Sequence, residues 1–346
     1  MKPIPFIHMA DLHIGSAAYG KFHLHAMALL HEIVERANAD GVEVLFLAGD
    51  IFNSPPTQQE LTRLNTILSG FHHKVYMILG NHDRLRPLSR ATSFRWASNI
   101  HLFPDDEMTN VYDSARNLRV FGMSWKTAMN PEAVYNEYFR EHPLNPKEIN
   151  VLLAHGGDED HIPVNFEELS PFGFRYVAFG HLHQNQEPAP NVVYSGSLVP
   201  QDRTETGPHG YVTGTIGPEK TDWQLMASPA QYEELKIDVG RFYNVEELYR
   251  YLRANLDPEI RYLIHLVGDL TFDFCADMEQ LYHAGQIEKI TDETRLAIDY
   301  EQLQRYNADN ILGIFIDAMK KHPSPLAEKA LKFGVAAFLE AKDHEN

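Results

Sequence analysis

Apolar residues in this chain fall into short unbroken runs, separated by segments of helical period. Val42-Glu43-Val44-Leu45-Phe46-Leu47-Ala48, Val75-Tyr76-Met77-Ile78-Leu79, Ile149-Asn150-Val151-Leu152-Leu153-Ala154 and Tyr176-Val177-Ala178-Phe179 are such runs, and Ile4 to Ala10 opens the chain in the same way. Short apolar runs bounded by glycine predict strands buried on both faces. Ala26, Leu29, Leu30, Ile33 and Ala37 recur at helical spacing and predict a helix packed on a sheet by one stripe. Further helices are predicted over 58–68 and 87–97. From Val192 to Lys236, glycines at 196, 207, 210, 214 and 217 punctuate short strands and turns. The predicted fold class is mixed α/β (α+β), a two-layer β-sandwich flanked by helices, over residues 1–232. The character changes near Glu233. A strand over 234–239, a helix over 245–254 and strands over 261–267 and 295–300 predict a small α/β cap spanning 233–305. Ile311, Leu312, Phe315, Ile316 and Met319, then Leu331, Val335, Phe338 and Leu339, stripe a final helix pair over 306–346, with Pro323 and Pro325 between them.

The ends of the strand-like runs carry the chemistry. In order they read Asp11-Leu12-His13, Gly49-Asp50, Gly80-Asn81-His82-Asp83, Ala154-His155-Gly156 and Gly180-His181-Leu182-His183. One of these alone is a weak signal; five in order, each after a predicted strand, form a specific one. Ligands gathered from several strand ends are the expected layout of an α/β active site. If strand geometry persists, alternation points Asp11 and His13 the same way, and likewise His181 and His183. The set mixes oxygen and imidazole nitrogen without sulfur, which favours manganese, iron or zinc over magnesium or calcium alone. We assign Asp11, His13 and His183 to one of two divalent ions and Asn81, His155 and His181 to the other, with Asp50 bridging. A hydroxide held between two such ions is expected to attack a phosphate ester in line. His82 is expected to give a proton to the leaving oxygen or to stabilise transition-state charge, with a hydrogen-bonding role behind the ligands as the alternative. Asp83 is expected to cap a following helix.

Composition narrows the classes. The 346 residues are 44% hydrophobic and 23% charged, ordinary for a globular protein. The net charge of −18 argues against coating nucleic acid by charge alone. It leaves a nuclease open, because divalent cations reverse the local sign. Cys275 is the one cysteine, which excludes an internal disulfide framework. With no signal-peptide pattern at the start and no apolar run near the roughly 18 residues of a membrane span, a cytoplasmic protein without membrane association is expected.

From Ile7 to Tyr211 these motifs resemble the calcineurin-like metallophosphoesterases. Gly49-Asp50-Ile51-Phe52-Asn53-Ser54-Pro55-Pro56-Thr57, the third motif ending in Asp83, and Val193-Tyr194-Ser195-Gly196-Ser197-Leu198 are similar to the SbcD-type nuclease subunits of DNA double-strand-break repair, including the YhaO-like group. That resemblance implies manganese-dependent DNA exonuclease and endonuclease activity, a homodimer, a DNA-capping domain and an SbcC-type coiled-coil ATPase partner. Archaeal and eukaryotic relatives tend to carry His at the position of Asn53. An Asn there can bond phosphate but cannot carry a proton, which puts exonuclease strength in question. Arg84 is a candidate contact to backbone phosphate. The competing functions are a small-molecule phosphodiesterase of the cyclic-nucleotide type and a non-catalytic scaffold. The second predicts lost ligands, whereas all seven are present.

Overall fold

The computed structural model describes residues 2–15, 23–87, 89–258, 260–270, 287–296 and 298–343. Its first compact unit comprises Met1–Leu235, Leu256–Leu263 and Tyr282–Lys289. Two six-stranded sheets form the centre of that unit. The first is built from β1 (Ile4–Met9), β2 (Val44–Ala48), β3 (Lys74–Ile78) and β4 (Ile100–Leu102), all parallel, and is extended from β1 by the antiparallel β11 (Gly210–Ile216) and β12 (Thr221–Ala227). The second runs in the order β5 (Thr109–Asp113), β6 (Leu118–Gly122), β7 (Ile149–His155), β8 (Tyr176–Gly180), β10 (Val192–Tyr194) and β9 (Gln186–Ala189). Strands β6, β7, β8 and β10 are parallel, with antiparallel edges.

Alternation along each strand divides its side chains between two cores. Phe6, Val44, Phe46, Tyr76 and Ile78 of the first sheet meet Leu118, Val120, Val151, Leu153 and Tyr176 of the second. The opposite face of the first sheet, with Ile7, Leu45, Leu47, Val75 and Met77, packs against α1 (His23–Ala39) and α2 (Gln58–Ser69). Leu152, Ala154, Val177 and Phe179 on the outer face of the second pack against α4 (Val134–Glu141) and α5 (Phe166–Leu169). Strands buried on both faces explain the unbroken apolar runs. Each such buried aliphatic or aromatic side chain contributes about 1.5–3 kcal/mol. The α1 stripe faces inward as its spacing requires, with Ala26, Leu30, Ile33 and Ala37 buried. Helix α2 starts where Thr57 and Glu60 form a reciprocal capping box.

Two predicted elements are shorter than expected. Within 87–97 only α3 (Arg90–Ser93) is helical. Phe94 is extended, the Trp96 indole occupies the Ala91 carbonyl and the Ala97 amide donates to Asn65, so an acceptor and a donor are lost to the helical ladder. The strand expected over 295–300 is β17 (Arg295–Leu296) alone. Asp299 accepts from the Glu301 and Gln302 amides and so starts α7 (Tyr300–Tyr306) early.

The second compact unit comprises Lys236–Asn255, Ile264–Leu281 and Ile290–Asn346. It contains α6 (Val245–Asn255), which buries Leu248, Tyr249 and Leu252, and α7, α8 (Ile311–Lys321) and α9 (Pro325–Asp343). Leu312, Ile316 and Val335 are the buried centre of that helical group, with Phe315, Leu331 and Phe338 packed around them. A three-stranded sheet is formed by β13 (Gln231–Asp238), β14 (Ile260–Val267) and β16 (Ile287–Asp292). Cys275 and the side chain of Leu339 lie outside what is described. Among the described residues no helix is long and apolar enough to cross a membrane.

Candidate metal centre

The carboxyl ends of β1, β2, β3, β7 and β8 converge on one cluster. Asp11, His13, Asp50 and His155 are buried, with Asn81, His181 and His183 half-buried beside them. Strand alternation is not what aligns these residues. Strands β1 and β8 end at Met9 and Gly180, and the ligand positions turn out of the sheet. Asp11, His13, Asp50 and His181 have φ of 53°, 43°, 48° and 102°. A non-glycine residue rarely adopts that left-handed region, and each instance costs of order 1–3 kcal/mol. The loops are held there by pairing that continues past the strands. The Asp11 amide donates to Gly49, His13 to Asp50, and Ile14 to Ile51. His181 donates its amide to both oxygens of Asp11, at 3.1 and 3.0 Å. Gly80 is required by space: a Cβ there would fall on Asp50 Oδ1 and His155 Nε2.

Among the described residues, four groups of side chains bring candidate ligand atoms within 4.8 Å of one another: Asp11, His13 and His183; His13, Asp50 and His82; Asp50, His155 and His181; and Asp158, His161 and His181. The first and third correspond to the two sides of the assigned site, and Asp50 reaches both. The imidazole hydrogen bonds define what such a cluster can hold. His13 Nδ1 lies 3.2 Å from Asn53 Oδ1, His155 Nδ1 2.9 Å from the Ala48 carbonyl, and His183 Nδ1 2.5 Å from Glu205 Oε1. A neutral imidazole has one N–H and one lone pair, so donation from Nδ1 leaves the lone pair on Nε2. Those nitrogens face other acceptors. His13 Nε2 and His183 Nε2 are 3.1 Å apart, and His155 Nε2 is 2.9 Å from Asn81 Oδ1 and 3.4 Å from Asp50 Oδ2. Acceptors turned on acceptors at these distances call for positive charge between them. This donor set therefore fits divalent cations held by oxygen and imidazole.

The protein groups alone respond to the same crowding. Burial disfavours the charged form of His155, yet Asp50 and then Asp11 push it up to about 9. Asp50 is held well below the usual carboxylate range against its burial, chiefly by His155. Burial raises Asp11 to about 6, and lowers His13 and His181 to about 4.

The remaining predicted residues are also placed. His82 is exposed; its ring meets that of His13 edge-on at 4.9 Å between centroids, and its amide donates to Asp50 Oδ1 at 2.9 Å. Asn53 turns its carbonyl oxygen to His13, and Arg84 Nη1 donates to the Asn81 carbonyl at 2.9 Å. Asp83 caps no helix. It is buried, and its carboxylate accepts the amides of Ile51, Phe52 and Gly80, tying the second motif loop to the third. Burial, with Asp50 nearby, raises it to about 7. Among the described residues no helix begins after it until Arg90, and this carboxylate is committed instead to three amides of its own and the neighbouring loop. Four supporting residues were not singled out from the sequence. Trp125 and Tyr135 both donate to the His155 carbonyl, and Glu205 and Asp158 bond His183 and His181. Asp158, three residues past His155 in a Gly-Gly turn, carried the one weak signal.

Residues 4–185 match the family model described as calcineurin-like phosphoesterase. The uncharacterized metallophosphoesterase YhaO of Bacillus subtilis is 27% identical over 278 residues, covering 72% of this chain and 67% of that protein. A dimetal phosphatase from Danio rerio aligns with a TM-score of 0.39 at 14% identity, over 66% of this chain and all of that one. A purple acid phosphatase from yellow lupin seeds aligns with a TM-score of 0.40 at 10% identity, over 62% of this chain and 49% of that one.

Proposed function

The chain belongs to the calcineurin-like phosphoesterases, and from that premise we propose that it is a two-metal phosphodiesterase acting on DNA, as an exonuclease and endonuclease of the SbcD type in repair or recombination. The observation that carries the proposal is the set of lone pairs converging around Asp50. Asp11, His13 and His183 would hold one divalent ion, Asn81, His155 and His181 the other, and Asp50 both. Two such ions, most suitably Mn2+ with Fe2+ or Zn2+ as alternatives, supply a nucleophile at neutral pH and neutralise charge on the phosphoryl oxygens.

The chain's own residues do the rest. His82 stands exposed at the rim beside His13 and Asp50, where a phosphodiester's leaving oxygen can take its proton. Arg84 is braced on Asn81 through one N–H and keeps others for a backbone phosphate. The Asn53 amide group can donate to phosphate while its oxygen orients His13. A polymer substrate is favoured over a small phosphodiester by the second compact unit, which contributes none of its described residues to the ion cluster. In this proposal the protein works as a homodimer in the cytoplasm with an SbcC-type ATPase.

The test is Mn2+-dependent cleavage of end-labelled single- and double-stranded DNA by wild type and His82→Ala. We expect wild type to degrade DNA and the variant to fall by about 10²–10⁴-fold while keeping two ions. Hydrolysis of a small phosphodiester without any DNA cleavage, with the ATPase partner supplied, would place the substrate elsewhere. An undiminished His82→Ala would remove the proton donor from the scheme.

A further inference from the structure

Of the four histidines assigned as ligands, three present Nδ1 to an oxygen and Nε2 to the cluster; His181 gives its Nε2 to an oxygen instead. Its Nε2 is 2.7 Å from Asp158 Oδ2, and Asp158 Oδ1 is in turn 2.8 Å from His161 Nδ1. We propose that Asp158 is a positioning residue that holds His181 as the Nε2–H tautomer, so that His181 offers Nδ1 to the second ion. This rests on the two-metal phosphodiesterase proposal and assigns the residue that orients one ligand within it.

Several observations support it. A carboxylate accepting N–H from one ring nitrogen fixes the imidazole's orientation and raises the basicity of the other nitrogen. His181 falls in one ligand group with Asp50 and His155 and in another with Asp158 and His161; with Nε2 given to Asp158, Nδ1 is the nitrogen left for the first group. The Asp158 carboxylate is itself fixed. It takes the Asp160 amide at 3.0 Å and the His161 ring from both oxygens, at 2.8 and 3.0 Å. The turn carrying it is closed by Gly157 donating to the His161 carbonyl at 2.6 Å and by Ile162 donating to Asn130 at 2.5 Å. Ile162 pays for that closure with a φ of 48° although it is β-branched and buried. The Asp158 side chain is 42% exposed, so replacing it opens no cavity in the core.

The experiment compares wild type, Asp158→Asn and Asp158→Leu, each full-length with 15N-labelled histidine. Two-bond 15N–1H couplings without added metal read the His181 tautomer, and Mn2+ titration reads the ions bound. In wild type we expect His181 protonated at Nε2 and two ions bound. In Asp158→Leu we expect a mixture of tautomers and one ion weakened about 10–100-fold with the other unchanged. Asp158→Asn keeps an acceptor oxygen and should fall between the two. The proposal is overturned by a wild-type His181 protonated at Nδ1, or by a Leu variant with wild-type tautomer and both affinities. It is also overturned by a third Mn2+ in wild type that Asp158→Leu loses while the pair remains. If the tautomer and ion results come out as expected but no phosphodiester is cleaved, the functional proposal fails and the Asp158 assignment stands.

Discussion

The two sides of the candidate metal centre are built from the same residue types but supported differently. On the side of Asp11, His13 and His183, the imidazoles lean on side chains, Asn53 of the second motif's own loop and Glu205 of a turn outside the motifs. On the side of Asn81, His155 and His181, the fully buried His155 leans on the Ala48 carbonyl at the end of β2, and its own backbone is clasped by Tyr135 and Trp125. A carbonyl fixed in a sheet cannot be edited by mutation; a side chain can. The contrast teaches that each ion should answer to its own outer partners, Asn53 and Glu205 for one and Asp158 for the other, that His155 is held by groups of the sheet instead, and that Asp50 alone should govern both.

The largest effect is expected at Asp50. Asp50→Ala removes the one carboxylate that belongs to ligand groups on both sides. Ion content should fall well below one per chain, and phosphodiester turnover by about 10³-fold or more, as several kcal/mol of charge stabilisation is lost at 1.36 kcal/mol per tenfold. Elemental analysis and steady-state rates check this together. Loss of a single ion would show that Asp50 belongs to one side only.

A smaller, one-sided effect is expected at Glu205. Glu205→Gln keeps the shape but removes the charge that raises His183 against its burial. One ion should weaken about 10–100-fold in a Mn2+ titration while the other is unchanged. Equal weakening of both would erase the distinction between the sides.

Protons offer a third way to sharpen the comparison. His155 is pushed up to about 9, whereas His13 is pushed down to about 4. A raised histidine stabilises the ion-free fold fully below its unfolded value of about 6.5, and loses that contribution as pH rises through 9. A divalent ion needs the neutral imidazole, so its uptake should tighten over the same window and release protons. Calorimetry in buffers of different ionisation enthalpy measures that release, and pH-independent uptake between 6.5 and 9 would contradict it. The smallest effect is expected from Tyr135→Phe. It leaves the buried His155 amide without the hydroxyl 3.0 Å away, at a cost of about 1–3 kcal/mol. Denaturant unfolding reads it, and both ions should remain.

Much of this was legible in the residues. Strands β2, β3, β7 and β8 are buried on both faces, so their apolar runs announced them, and a ligand motif at the end of each located the centre. What was hidden depends on backbone turns and long-range pairing. Alternation misdescribed how Asp11 and His13 share a site, because left-handed turns at both positions bring them together. Asp83 read as a helix cap because its amide partners, Ile51 and Phe52, stand more than thirty positions away. Glu205 and Asp158 lie in polar turns with no spacing that ties them to His183 or His181. The segment 87–97 looked helical, but Phe94 is extended and the Ala97 amide is taken by the distant Asn65.

The most direct test of the account is the number of ions the protein holds. Metal-stripped wild type and Asp50→Ala would be titrated with Mn2+, with electron paramagnetic resonance used to detect spin coupling between neighbouring ions. The account predicts two ions per wild-type chain, magnetically coupled, and neither bound with comparable affinity in the variant. A single uncoupled ion in wild type, or a coupled pair that survives the loss of Asp50, would contradict it.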